Sequence, residues 1–325
     1  MPAVIDVQRL HKRYGRTVAV DEVSFTVHEG EIFGILGPNG AGKTTTVECV
    51  EGLRAADRGR ISVLGLDPRR DRAELTERLG VQLQDGQLPA QLRVEEALEL
   101  YSSFYRAPAD WRALLETLGI AGQARTRFDR LSGGQKQRLS IALALVGGPQ
   151  VAVLDELTTG LDPQARRDTW ELIEQVRSRG VTIVLVTHFM EEAERLCDRI
   201  ALIDSGRVVA IGTPAALTER VPSAQRIQFR PSVPFDDRLL ADLPEVTAVT
   251  RKGELVVVTG TGNALNAVVS VLARNHVIAE HLRLEQASLE DAFVALTGNR
   301  SRDAAATARP GSAPGPDLRP EPNQE

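Results

Sequence analysis

Cysteine and aromatic side chains are both scarce in this chain of 325 residues: there are two cysteines, and Phe, Trp and Tyr together make up only 4%. Cys49 and Cys197 are too few for a disulfide scaffold, and neither has neighbours at metal-ligand spacing. Both read as buried small apolar side chains in a reducing compartment. No basic start runs into an apolar core, so no signal peptide is expected. No apolar stretch approaches the ~20 residues of a membrane-spanning helix, so membrane work would need another chain. A net charge of −5 gives no basic field for a polyanion, and nucleic acid is not expected as a partner.

What the chain does have is ordinary globular composition, 42% hydrophobic and 26% charged, in a length that suggests two domains. AVIDV and VSFTV alternate as strands of an N-terminal antiparallel β-subdomain around a basic turn at Arg13-Tyr14-Gly15-Arg16. EIFGIL (31–36) is a short apolar run, as a buried parallel strand requires. ISVLG (61–65) and RLGVQLQ (78–84) predict two more strands. Helical periodicity takes over at 92–147, with RVEEALELYSSFY and DWRALLETLGI amphipathic. VAVLDE (151–156), VTIVLVTH (181–188) and RIALIDSG (199–206) return to strands alternating with helices. The expected fold is therefore α/β: a parallel sheet covered on both faces, with an inserted helical subdomain at about 88–147.

The pattern breaks at residue 222. RIQFR, EVTAVTRK, ELVVVTG and VIAEHLRLE alternate with FDDRLLADL and NALNAVVSVLARN as β-α-β-β-α-β, a small α+β domain over 223–298 closed by a helix in SLEDAFVALTG. Residues 299–325 lack hydrophobic periodicity and read as a disordered tail.

Three segments carry chemistry. GPNGAGKTT at 37–45 fits G-x-x-x-x-G-K-[ST] between a strand and a helix, the phosphate cradle of a nucleotide-binding P-loop core. Gly37, Pro38, Asn39, Gly40, Ala41, Gly42, Lys43, Thr44 and Thr45 would wrap ATP, with backbone N–H groups and the helix end facing the phosphates. Lys43 would bridge the β- and γ-phosphates and Thr44 would ligate Mg2+. VAVLDE puts Asp155 at the carboxyl end of a strand, where it can hold Mg2+, and makes Glu156 the candidate general base. LSGGQ at 131–135 starts a helix; Ser132 is a natural N-cap, and the same helix end makes a second anion site.

In this order, from Tyr14 to His188, the segments resemble the ATP-binding cassette (ABC) ATPases. The resemblance implies that Tyr14 stacks on adenine, that Gln84 reaches Mg2+ and water, and that His188 contacts the γ-phosphate. It also implies that Ser132, Gly133, Gly134 and Gln135 face ATP on the opposite subunit, with Asp162 of TTGLD communicating between the sites. A second copy of the chain, closing head to tail, is then a required partner. Leu157 departs from the proline common at that position, without removing a catalytic group.

TTTVECVEGL, the run from Thr187 to Pro214 and SLEDAF look like bacterial drug-exporter ATPases of the daunorubicin-resistance type, which pair with separately encoded permeases. This resemblance implies export of a drug, antibiotic or lipid-like compound from the cytoplasmic face of the membrane. An importer ATPase shares all the chemistry. A soluble cassette acting on ribosomes or DNA is the competing reading, but it usually has tandem cassettes or a long coiled coil, and this chain has neither.

Overall fold

The computed structural model describes residues 2–82, 88–219, 225–285 and 288–297. Its first two strands, β1 (Ala3–Tyr14) and β2 (Thr17–His28), form an antiparallel hairpin turning at Gly15, and β3 (Ile32–Leu36) follows, buried at every residue. The helix α1 (Lys43–Val50) leads to β4 (Arg58–Val63), which joins the hairpin in a three-stranded sheet. β4 starts three residues ahead of the expected ISVLG strand because Arg58 and Arg60 pair with His11 and Gln8 of β1. A short α2 (Arg72–Thr76) precedes β5 (Leu79–Gln82). Gln84 lies outside the described residues.

The helical stretch resolves into α3 (Val94–Ser102), α4 (Trp111–Thr117) and α5 (Gly133–Leu145). Strands and helices then alternate: β6 (Val151–Asp155), α6 (Pro163–Ser178), β7 (Thr182–Thr187), α7 (Met190–Leu196), β8 (Arg199–Asp204) and β9 (Arg207–Gly212). The main sheet has the order β5-β6-β7-β3-β8-β9. Its first five strands are parallel, but β9 returns antiparallel to β8. The expected parallel sheet is there, and β9 adds an antiparallel strand at its edge. Ser205 and Gly206 both have positive φ, 49° and 76°, the conformation that turns a strand straight back on itself.

After α8 (Pro214–Thr218), strands β10 (Gln225–Pro231), β11 (Val246–Lys252), β12 (Leu255–Gly260) and β13 (Ala279–Glu285) form a separate antiparallel sheet in the order β11-β12-β10-β13. The helices α9 (Arg238–Ala241) and α10 (Ala264–Arg274) cover it around Ile227, Phe229, Val256, Val258 and Val268, all fully buried. A final helix, α11 (289–297), leaves this sheet and packs on the main core. Leu289, Ala292, Phe293 and Leu296 recur at helical spacing, and Leu289 sits 0% exposed in the cluster that holds Leu196 of α7. The Leu289 N–H donates to the Glu194 carboxylate on α7. The terminal segment thus belongs by packing to the first unit, although in sequence it follows the second.

Leu289→Ala should cost roughly 2–4 kcal/mol if α11 contributes to the main core as its burial implies. Hydrogen exchange would report the change as faster exchange in α7 and 289–297 than in β10–β13.

Candidate functional site

The site lies beyond the carboxyl ends of β3, β6 and β7, three adjacent parallel strands that are buried because sheet neighbours and helices enclose them. Leu36 ends β3, and the chain passes through the loop 37–42 into α1. Gly37 must be glycine, since a Cβ there would stand 2.0 Å from the Ile203 carbonyl oxygen on β8. Gly42 has φ of 95° and its Cβ would meet the Ala19 carbonyl oxygen at 2.2 Å, so both loop ends are pressed against neighbouring backbone.

Lys43 is 5% exposed. Its ammonium donates to the Gly37 carbonyl at 2.8 Å and the Pro38 carbonyl at 3.0 Å, bending the side chain back over its own loop. Burial lowers its pKa, opposed by the carboxylates of Glu156 and Asp155. Thr44 is exposed on the first turn of α1, whereas the Thr46 hydroxyl donates to the Gly42 carbonyl at 2.9 Å. Asn39 and Gly40 are exposed at the loop tip.

Asp155 ends β6 at 7% exposure. Burial, with the adjacent Glu156 charge, pushes its carboxyl up to about 6 while Lys43 pulls the other way. Its backbone N–H donates to the Gln82 Oε1 at 3.1 Å, and its own Oδ1 is buried with no hydrogen-bond partner. A buried carboxylate oxygen without a donor is the kind of hard oxygen ligand that suits Mg2+. Glu156 follows at φ 50°, a left-handed conformation that non-glycine residues rarely adopt. Its N–H donates to the Val186 carbonyl at 2.9 Å, so the strained turn is pinned to β7. His188, just past β7, puts Nδ1 3.2 Å from Glu156 Oε1. Leu157 is fully buried in the main core, which accounts for an apolar side chain there.

A second group assembles where α5 and α6 begin. The Ser132 hydroxyl accepts from the Gln135 N–H at 3.3 Å while the Gln135 side chain accepts from the Ser132 N–H at 2.9 Å, a reciprocal cap. Asp162 caps α6, its Oδ1 accepting from Gln164 and Ala165 N–H groups at 3.0 and 2.9 Å. The positions a Cβ would take on Gly133 and Gly134 lie 3.7 Å from Leu161 and Ala165, so the LSGGQ and TTGLD segments pack together. Tyr14, at the end of β1, is 41% exposed, with the Lys12 ammonium and the Arg54 guanidinium each 5.5 Å from its ring centre.

Two groups at the site were not anticipated from sequence. Gln82 could have been noticed as the last strand residue before the Asp155 register, since Gln82 pairs with Leu154. Glu51, at the end of α1, is 9% exposed, and burial, then Asp155 and Glu48, push its carboxyl up to about 8. A glutamate in a helix-terminal ECVEGL gives no sequence sign of burial.

Fold and phosphate loop together define a P-loop nucleoside triphosphatase. A family model described as ABC transporter matches residues 20–159. The Nod factor export ATP-binding protein I of Burkholderia lata is 40% identical over 313 residues, covering 93% of this chain and 99% of its own. Among solved structures, cbiO1 from Clostridium perfringens, part of the ABC transporter complex cbiONQ, is 27% identical with a TM-score of 0.62, over 67% of this chain and 92% of that one. The ATP-binding cassette MJ0796, solved as a dimer in a post-hydrolysis state bound to ADP and Pi, is also 27% identical, with a TM-score of 0.57 over 64% and 98%. The chain belongs to the ABC transporter ATP-binding family, ATPases whose hydrolysis of ATP is coupled to transport. Among the described residues no helix is long and apolar enough to cross a membrane.

Between the ordinary glutamate value and about 8, folded Glu51 keeps a proton that the unfolded chain has lost, so its contribution to stability falls as pH rises through that window. Glu51→Gln should therefore melt like the parent at pH 4.5 and at a higher temperature at pH 8, as thermal unfolding across pH would record.

Proposed function

We propose that this chain is the ATP-hydrolysing subunit of a membrane exporter, working as a head-to-tail pair of copies that drives a separately encoded permease from the cytoplasmic face. The observation that carries the reading is the convergence of Lys43, Asp155, Glu156 and His188 at the ends of three adjacent strands. In this reading the loop 37–45 wraps the phosphates with its N–H groups, and Lys43 exchanges two loop carbonyls for β- and γ-phosphate oxygens. Thr44 and Asp155, with Gln84 as the family resemblance implies, would hold Mg2+, which would neutralise charge on the phosphates. Glu156, already aimed at His188, accepts the proton of the attacking water, and His188 orients that water against the γ-phosphate. Tyr14 carries the adenine on its exposed ring.

Ser132, Gly133, Gly134 and Gln135 complete the site of the other copy, with Asp162 beside them joining the two. A cassette dimer has been solved for MJ0796, and that precedent supports the pairing. Export is supported by Nod factor export relatives that match 93% of this chain, beyond the cassette alone. For cargo we favour a drug, antibiotic or lipid-like amphiphile, as in the daunorubicin-resistance exporters that the C-terminal sequence resembles. The small antiparallel sheet carries no catalytic group, and we assign it a role in dimer stability or coupling.

Lys43→Ala should weaken nucleotide binding by about ten-fold or more, because a charge-assisted contact is lost. Glu156→Gln should bind ATP normally and turn over about 10²-fold more slowly, accumulating as a dimer in size-exclusion chromatography with ATP. Tagged and extracted from its own cells with ATP, this variant should bring down one polytopic membrane protein. Recovery with ribosomes or nucleic acid instead would sink the exporter assignment.

A further inference from the structure

His188 is held on two sides, and only one of them belongs to the chemistry already described. Glu156 meets its Nδ1 at 3.2 Å. Against the imidazole lies the ring of the next residue, Phe189, with centroids 4.1 Å apart and planes at 38°. The same phenyl ring also meets a cation: Arg166 of α6 places its guanidinium 4.8 Å from the Phe189 ring centre.

Neither residue is there for local helix stability. Phe189 occupies the N-cap of α7, a position that favours Ser, Thr, Asp or Asn, and it supplies no capping bond. Its N–H is satisfied instead by the Thr187 hydroxyl at 3.0 Å, which fixes the backbone and aims the ring. Arg166 leaves its buried Nε without a hydrogen-bond partner, and its ion pair, NH1 to Glu191 at 3.8 Å, is long. A guanidinium normally pairs its N–H groups when half-buried, so the ring face is the contact that this placement serves. Arg166 also stands one turn into the helix capped by Asp162, and its N–H donates to the Asp162 carbonyl at 3.0 Å.

We infer that Phe189 and Arg166 are positioning residues for His188: a guanidinium–phenyl–imidazole stack that fixes the imidazole and ties it to the first turn of α6. The stack runs from the Asp162 loop, which the second copy would touch, to the histidine that meets the γ-phosphate. Displacement of α6 on closure would therefore reorient the imidazole directly through packed groups. Binding of nucleotide at the loop 37–45 does not pass through the stack, so affinity and turnover should separate when it is broken.

The inference rests on the assigned role of His188, and the experiment separates the two. In the full chain, Phe189→Leu and Arg166→Met should lower kcat about 10-fold or more with KM for ATP within about two-fold of the parent. Phe189→Tyr, which keeps the ring, and Arg166→Lys, which keeps the cation, should recover most of the rate. The His188 ring-proton resonance, identified by its loss in His188→Ala, should move in Phe189→Leu and stay near its parental position in Phe189→Tyr. An unmoved resonance with parental kcat in Phe189→Leu, while His188→Ala is inactive, overturns the stack alone. Equal loss of kcat, affinity and melting temperature in Phe189→Leu and Phe189→Tyr also overturns it, as a packing defect. Parental turnover in His188→Ala overturns the role of His188 and the stack with it.

Discussion

The phosphate loop is seated between two backbone carbonyls, Ile203 on the far side of β3 and Ala19 on the hairpin, and the rest of the site depends on that fit. A loop with side chains at Gly37 or Gly42 would have to lift away from both. Lifting it would free the Lys43 ammonium from the Gly37 and Pro38 carbonyls and shift the start of α1. The antiparallel sheet and the parallel sheet therefore do more than pack together: one carbonyl from each fixes the curvature of a single loop. That is why the N-terminal strands, which carry Tyr14 but no reacting group, are part of the catalytic architecture.

Electrostatics at the site are unbalanced in favour of acid. Lys43 is buried with Asp155 and Glu156 near it, and Glu51 and Glu48 stand close enough to Asp155 to raise its pKa or be raised by it. Burial and the neighbouring like charges push the Glu51 carboxyl up to about 8 and the Asp155 carboxyl up to about 6. Glu156 belongs to the same acidic group, and its left-handed backbone and the N–H bond to Val186 accompany a side chain turned toward His188.

Much of this was legible from residue order. Runs such as EIFGIL and VAVLDE had to be buried strands because they are short and apolar on both faces, and the motif glycines and Lys43 marked the loop between them. Less legible was anything decided by contacts between distant segments. The antiparallel return of β9 depends on a two-residue turn at Ser205-Gly206, a weak signal inside a longer run of strand-forming residues. The burial of Glu51, the support of Asp155 by Gln82 and the Arg166–Phe189 stack all depend on which side chains the sheet order brings together, and no spacing along the chain records that. The carboxyl end of SLEDAF showed an amphipathic helix but not which of two cores would receive it.

The docking of that last helix changes how the chain should be partitioned. With Leu217 of α8 and Leu289 of α11 both fully buried in the main core, the polypeptide leaves this body near residue 219 and comes back to it at 288. The four-stranded sheet is then spliced into the cassette between two anchors, rather than hung from its end. Cutting the chain at 224 would remove a piece of the larger core along with the smaller sheet. A clean excision would have to bridge residue 219 to residue 288 and retain the helix that follows.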